Sequence, residues 1–174
     1  CEGDLAVFTT AVSGTYSSVG WEVSTDGGVS YAVIPGATTT QLQFTAQALQ
    51  SGNRYRAAFI DDCGTTYSNA ATLTVNSSIT ITTQPADAVV CTGVDAVLVS
   101  TATGVPAPAV QWQESADGIT YQNIADANSD TLRMAVTPAM NNYYYRVVYN
   151  NSCGYDTSDA AQLTVSTGFT VTAT

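Results

Sequence analysis

The sequence predicts an all-β chain built as two β-sandwiches in tandem, and three observations carry that expectation. A pattern of cysteine, tryptophan and cysteine occurs twice, as Cys1, Trp21, Cys63 and as Cys91, Trp112, Cys153, with each cysteine pair 62 positions apart. The remainder repeats at a matching step: Tyr55-Arg56 returns as Tyr145-Arg146, Leu73-Thr74-Val75 as Leu163-Thr164-Val165 and Cys63-Gly64 as Cys153-Gly154, each 90 residues on. Within each copy, short runs alternate apolar with polar residues, the period of a half-buried strand.

A tryptophan packed beside a disulfide that pins two sheets together is the core of an immunoglobulin-like sandwich. The expected fold is therefore two tandem immunoglobulin-like domains with one disulfide each, Cys1–Cys63 and Cys91–Cys153. Domain one would cover residues 1–76, without its first strand, and domain two 77–166. Residues 167–174 would be the first strand of a following repeat or a disordered tail.

In domain one, Leu5, Val7 and Thr9 alternate as a strand, and Trp21 and Val23 as the next. Asp26-Gly27-Gly28 then makes a hairpin turn, because Asp-Gly supplies the positive φ such turns need. Tyr31 and Val33 form a short strand before the Pro35-Gly36 turn, and Leu42 and Phe44 form another. Residues 46–53 cross between sheets with one helical turn. Tyr55, Ala57 and Phe59 lie on a central strand, a loop covers 63–70, and Leu73 and Val75 close the domain. Domain two repeats this with Val97 and Val99, Gln111-Trp112-Gln113, the Asp117-Gly118 turn, Tyr121 and Ile124, Leu132 and Met134, a crossover opened by Pro138, then Tyr143, Tyr145 and Val147, and finally Leu163 and Val165. Ile79-Thr80-Ile81-Thr82 reads as its first strand, ended by Gln84-Pro85 because proline cannot continue a central ladder. Trp21, Trp112, Tyr55 and Tyr145 are the expected core anchors.

Four cysteines in matched pairs read as disulfides and hence as an oxidising, extracellular or cell-surface location; no close C-x-x-C pair supports a zinc site. The chain has no lysine and no histidine, and its net charge is −10. Such a surface repels phosphate backbones and anionic lipid, which argues against nucleic acid and membrane-surface binding. No run is long and apolar enough to insert in a membrane as a helix. The start on a core cysteine reads as a fragment of a longer exported protein.

The run Trp21-Glu22-Val23-Ser24-Thr25-Asp26-Gly27-Gly28, the turn Ile34-Pro35-Gly36-Ala37-Thr38, Gly52-x-x-Tyr55-Arg56, Cys63-Gly64, Ser68-Asn69-Ala70-Ala71-x-Leu73-Thr74-Val75 and the junction Ile81-Thr82-Thr83-Gln84-Pro85 resemble the tandem immunoglobulin-like repeats of large secreted and cell-surface, adhesin-like proteins of Bacteroidetes-type bacteria. The resemblance spans nearly the whole chain and implies a repeat segment rather than a particular ligand. Domain two departs in lacking the second glycine after Asp117-Gly118 and in reading Ser158-Asp159-Ala160-Ala161. Both domains depart from antibody domains, where a tyrosine lies two residues before the second cysteine; Tyr55 precedes Cys63 by eight. With the cysteine-bearing strands expected to run antiparallel, the start of one would meet the end of the other, and each disulfide would clip one pole of its sandwich.

Catalysis has little to stand on: there is no histidine for general-base work, and the cysteines are expected to be oxidised. A paired-carboxylate glycosidase is the enzyme class left open, with Asp61-Asp62 or the acids near Asp126 and Asp130 as candidates, all in expected loops or strand ends. Asp126, Asn128 and Asp130 alternate and form a weak candidate metal site, although no EF-type loop is present. Tyr144, Tyr149 and Tyr155 are the candidate ligand contacts, since exposed rings beside Asn150, Asn151 and Gln122 suit glycan or protein. No cofactor is expected. The resulting reading is a non-catalytic extracellular spacer or adhesion segment, whose partners are a glycan or surface protein and further repeats of the same chain. The alternative is a glycan- or protein-binding module, or accessory domains of an exported polysaccharide-degrading enzyme.

Overall fold

The computed structural model describes residues 1–167, and its contacts divide the chain into two compact units, Cys1–Ser77 and Ser78–Thr174. Both are immunoglobulin-like sandwiches. The strand expected at residues 168–172 lies outside the described residues.

Unit one runs β1 (Leu5–Thr9), β2 (Ser18–Ser24), β3 (Ala32–Ile34), β4 (Gln41–Thr45), β5 (Arg54–Asp61), β6 (Gly64–Tyr67) and β7 (Ala71–Thr72), with one 3-10 turn at Ala48–Gln50. One layer pairs β1 with β4; the other has the order β3-β2-β5-β6, with β7 also on β5. Between them lie Trp21, Leu42, Tyr55, Ala57 and Phe59, with Phe8, Phe44 and Leu73 packed against them. Trp21 is buried and donates its Nε1–H to the Thr39 carbonyl (2.9 Å), tying the indole to the β3–β4 loop.

Residues 63–70, expected as a loop, are largely β6, which forms a hairpin with β5 across Asp61 and Gly64. All four β6 residues are exposed, so the strand has no buried face and leaves no apolar alternation to read. The edge strand breaks at Ser68. Its N–H donates to the Ala57 carbonyl and its hydroxyl accepts the Ala57 N–H, both at 2.9 Å, so the side chain substitutes for a ladder partner before β7 resumes.

Unit two runs β8 (Ser77–Thr83), β9 (Ala88–Cys91), β10 (Asp95–Val99), β11 (Thr101–Val105), β12 (Ala109–Ser115), β13 (Gln122–Asn123), β14 (Thr131–Ala135), β15 (Tyr144–Asn151), β16 (Gly154–Thr157) and β17 (Ala161–Ser166), with a 3-10 turn at Pro138–Met140. In one layer β10 pairs β14 and β11 pairs β8; the other has the order β13-β12-β15-β17-β9, with β16 on β15. The run β10–β11 changes partner at the buried Ser100, whose hydroxyl donates to the Thr83 carbonyl (2.9 Å) and accepts the Tyr149 hydroxyl (3.0 Å). Trp112 is wholly buried and donates to the Ser129 carbonyl (2.8 Å). After Pro85 the chain crosses to the other layer, where β9 pairs in parallel with β17.

The expected disulfides Cys1–Cys63 and Cys91–Cys153 do not form. Cys1 and Cys153 are disulfide-bonded, whereas Cys63 and Cys91 are exposed free thiols. The reason is strand direction. In unit two, β14 is antiparallel to β10, and the crossover that follows β14 turns the chain back into β15, so β10 and β15 run the same way. The residue after Cys91 donates to the Ser166 carbonyl and Gly93 donates to the Val136 carbonyl, which places Cys91 at the pole where β15 begins. Cys153 sits in the turn where β15 ends, its N–H held by Asn151 Oδ1 at 2.8 Å. Unit one repeats the arrangement: Glu2 and Gly3 donate to the Asn76 and Ala46 carbonyls near the start of β5, and Cys63 lies in the turn at its end, held by Asp61 Oδ1 at 2.7 Å. Each pair is thus separated by the length of a strand of eight residues. At about 3.3 Å per residue that is roughly 25 Å, far beyond the ~7 Å Cα separation a disulfide tolerates.

Candidate functional site

The outward face of the β2–β5 pair carries a built polar cluster. Glu22 and Arg56 lie opposite each other in register, and Arg56 places Nε at 2.8 Å and Nη2 at 2.7 Å from the same Glu22 oxygen. The guanidinium carbon also sits 3.8 Å from the ring centres of both Tyr31 and Tyr67. One cation is therefore held between two rings, a geometry in which electrostatic attraction and stacking act together. In unit two Arg146 keeps one ring, Tyr121 at 3.7 Å, and forms no ion pair among the described residues: Gln113 stands in Glu22's place and takes the Nε–H at 2.9 Å, and Thr157 stands in Tyr67's. One ring face of each of Tyr31, Tyr67 and Tyr121 is thus taken by guanidinium.

Of the three candidate contact tyrosines, Tyr144 and Tyr155 lie on the outward face of one sheet, roughly 20 Å apart along the strand, while Tyr149 points inward. Along β15, Tyr145, Val147 and Tyr149 point inward and Tyr144, Arg146 and Val148 outward, as strand alternation requires. Tyr149 is 1% exposed and hydrogen-bonded to Ser100, so the expectation that it meets a ligand is corrected. Tyr144 is half-buried; it packs against Gly118 and accepts Gln162 Nε2 at 3.1 Å. Tyr155, on β16, is 79% exposed. Tyr55 and Tyr145 are both buried. The Tyr145 hydroxyl has no hydrogen-bond partner among the described residues, and burial, with the Glu114 charge second, pushes its pKa up to about 12. Burial also raises Tyr149.

Among the candidate acids, one carboxylate is tied to backbone. Asp61 holds the Cys63 N–H. Asp126, Asn128 and Asp130 are all exposed; Asp126 adopts a left-handed φ of 58° and its carbonyl accepts the Asn128 N–H, while the Asp130 carbonyl accepts the Ser100 N–H. Among the described residues, no three or more of His, Cys, Asp and Glu gather where a metal could be held. The hairpin aspartates organise their turns. Asp26 takes the Ser30 hydroxyl and N–H and the Ser24 hydroxyl, and these hold its carboxyl well below the usual range. Asp117 takes the Thr120 and Ile119 N–H groups and the Ser115 hydroxyl, which bring it to about 2.

One concavity was not anticipated. A groove of about 610 Å³ opens in unit one beside β4, floored by Ile34, Leu42, Phe44 and Tyr55 and rimmed by Gln50 and Asn53. The copies of Gln50 and Asn53 in unit two are Met140 and Tyr143, which pack on its core. The repeat step already carried this signal, as small amides in one copy against bulky apolar residues in the other.

The family described as Domain of unknown function (DUF8696) matches residues 1–77 and, a second time, residues 80–167. Endoglucanase C of Cellulomonas fimi is 36% identical over 165 residues; the match covers 94% of this chain but only 15% of that protein. Among solved structures, DIP-gamma IG1+IG2 has a TM-score of 0.60 at 19% identity, covering 94% of this chain and 90% of that one. The N-terminal four Ig domains of Dscam1 isoform 4.44 give 0.56 at 16% identity, covering 95% and 42%. At such identities the likeness is one of fold alone.

Proposed function

The chain belongs to the family described as Domain of unknown function (DUF8696), and from that premise we propose that it is a non-catalytic accessory segment of an exported polysaccharide-degrading protein, where it holds other parts of that protein apart. The observation that carries this reading is the 36% identity to a 15% stretch of Endoglucanase C, a share that leaves most of that enzyme elsewhere. The chemistry of the chain agrees. It has no histidine or lysine, and of its candidate carboxylates Asp61 holds the turn at Cys63. Disulfide-bonded Cys1 and Cys153 fit an oxidising compartment outside the cell. The role is steric: a sandwich with few charges and a surface rich in threonine and serine keeps its shape and resists proteolysis. Adhesion to a glycan or surface protein, the reading drawn from bacterial surface repeats, would need a contiguous aromatic platform; the arginine stacks take one face of Tyr31, Tyr67 and Tyr121, and Tyr155 is the ring left open to test.

The chain, incubated with soluble carboxymethylcellulose, is expected to release no reducing ends above buffer, and in depletion assays to stay in the supernatant of insoluble cellulose. Hydrolysis lost on Asp61→Asn or Asp62→Asn would overturn the non-catalytic reading. Retention on cellulose lost on Tyr155→Ala would replace the spacer with a binding module.

A further inference from the structure

We propose that Cys63 and Cys91 are junction cysteines: the turn cysteine of one copy of this repeat forms a disulfide with the strand-leading cysteine of another copy. The four cysteines are of two kinds. Cys63 and Cys153 occupy the turn at the far end of the central strand, β5 or β15. Cys1 and Cys91 lead into a strand of the opposite layer, β1 or β10, at the pole where that central strand begins. Within a unit the two kinds lie a strand's length apart and cannot meet.

The internal repeat shows that both positions are built for a disulfide. Cys153, the copy of Cys63, is disulfide-bonded, and so is Cys1, the copy of Cys91. The bonded cysteines are one of each kind, and so are the free ones. Cys63 and Cys91 are both exposed. Charge also favours unlike pairing. A Cys63–Cys63 link would bring two Asp61-Asp62 pairs together, whereas Cys91 is followed by the uncharged Thr92-Gly93-Val94. A contact between unlike poles is heterologous and extends head to tail.

The step is a thiol–disulfide exchange with a small-molecule disulfide as oxidant. One cysteine thiolate attacks the oxidant and forms a mixed disulfide, releasing one thiol. The second cysteine then displaces the other half, leaving a Cys63–Cys91 bond and a second thiol, so the two electrons and two protons lost by the cysteines are carried by the reduced oxidant.

The test uses the whole chain at about 1 mM, near the effective concentration of tethered domains, with oxidised glutathione and non-reducing gels. The unmodified chain is expected to build a covalent ladder whose linked peptide is Cys63–Cys91. Cys63→Ser and Cys91→Ser, each changed at an exposed site, should each remain monomeric alone, and their equimolar mixture should give a single dimer at ten-fold or greater excess over either one. The proposal is overturned if the mixture gives no more dimer than the two variants separately. It is equally overturned if the linked peptides are Cys63–Cys63 or Cys91–Cys91, or if a folded chain with two titratable thiols stays monomeric.

Discussion

Leu73 and Leu163 hold the same place in the repeat, yet Leu163 is wholly buried while Leu73 is only half-buried. Ala71 and Ala161 differ in the same sense, the first exposed and the second completely buried. The local hydrogen bonds do not explain this. Leu73 donates to Asn53 and accepts from Gly52, as Leu163 donates to Tyr143 and accepts from Asn142. What differs is the cover. In unit two the segment leading into β9 lies along the last strand: Gln84 Oε1 accepts the Asp159 N–H at 2.9 Å, Asp87 Oδ1 accepts the Gln162 N–H at 2.7 Å, and Ala88 is in register with Leu163. Unit one has no such strand among the described residues and fills its core with rings. Phe8 stacks on Tyr55 at 4.8 Å and Phe44 lies 5.2 Å from the same ring, where unit two has Leu98 and Met134. One frame is thus filled by aromatic bulk in one copy and by an added strand in the other, and the two solutions bury the last strand to different depths.

That difference predicts unequal penalties. Leu163→Ala removes a fully enclosed side chain and is expected to destabilise unit two by about 3 kcal/mol, whereas Leu73→Ala, half in water already, should cost unit one about 1 kcal/mol. Urea unfolding in backgrounds that keep one tryptophan (Trp112→Phe or Trp21→Phe) reports each unit separately. Equal losses would mean that β9 adds no cover to the core.

A smaller effect separates two tyrosines on β15. Tyr149→Phe deletes a hydroxyl that donates to Ser100 and should cost about 1 kcal/mol, while leaving the residue type that unit one carries at the same place, Phe59. Tyr145→Phe deletes a buried hydroxyl with no partner among the described residues and should leave unit two as stable or stabilise it by up to about 1 kcal/mol. The same unfolding experiment checks both. A loss at Tyr145 equal to that at Tyr149 would reveal a partner for its hydroxyl.

How much of this was legible in the sequence followed from where side chains report on burial. Strands with one buried face, such as β2 around Trp21 and β15 around Tyr145, show alternation and could be read. The fully exposed β6 carries no such record. Neither does β9, whose Val89 is 77% exposed while its neighbours are half-buried, in too short a run to stand out. The disulfides were misread for a different reason: equal spacing of cysteines records the repeat, not proximity, and proximity depends on whether two strands run the same way. The inward position of Tyr149 did follow from the alternation that places Tyr145 and Val147, and it was obscured by the neighbouring run of tyrosines and asparagines.

The hairpin aspartates give the smallest and most local contrast. In both turns the carboxylate is stabilised by donors that exist only in the folded chain, so each folded pKa lies below its unfolded value. The stabilisation is complete above the ordinary aspartate range and is lost as pH falls through the folded value. For Asp117 that window runs from the ordinary 3.8 down to about 2. For Asp26 it extends lower, because Ser30 adds a hydroxyl to the backbone donors and contributes most to the shift. On acidification the turn of unit two should therefore loosen before that of unit one. Carboxyl-carbon NMR titration is expected to give a midpoint near 2 for Asp117 and a lower one for Asp26, with the Thr120 amide resonance moving before that of Ser30. Protonation of the other acids relieves the repulsion of a chain carrying −10 and acts on stability in the opposite direction, so thermal melts need Asp117→Asn as reference. Between pH 4 and 2 the unmodified chain should lose melting temperature relative to that variant. An Asp117 midpoint at the ordinary 3.8 would show that its turn is no better ordered than a solvated loop.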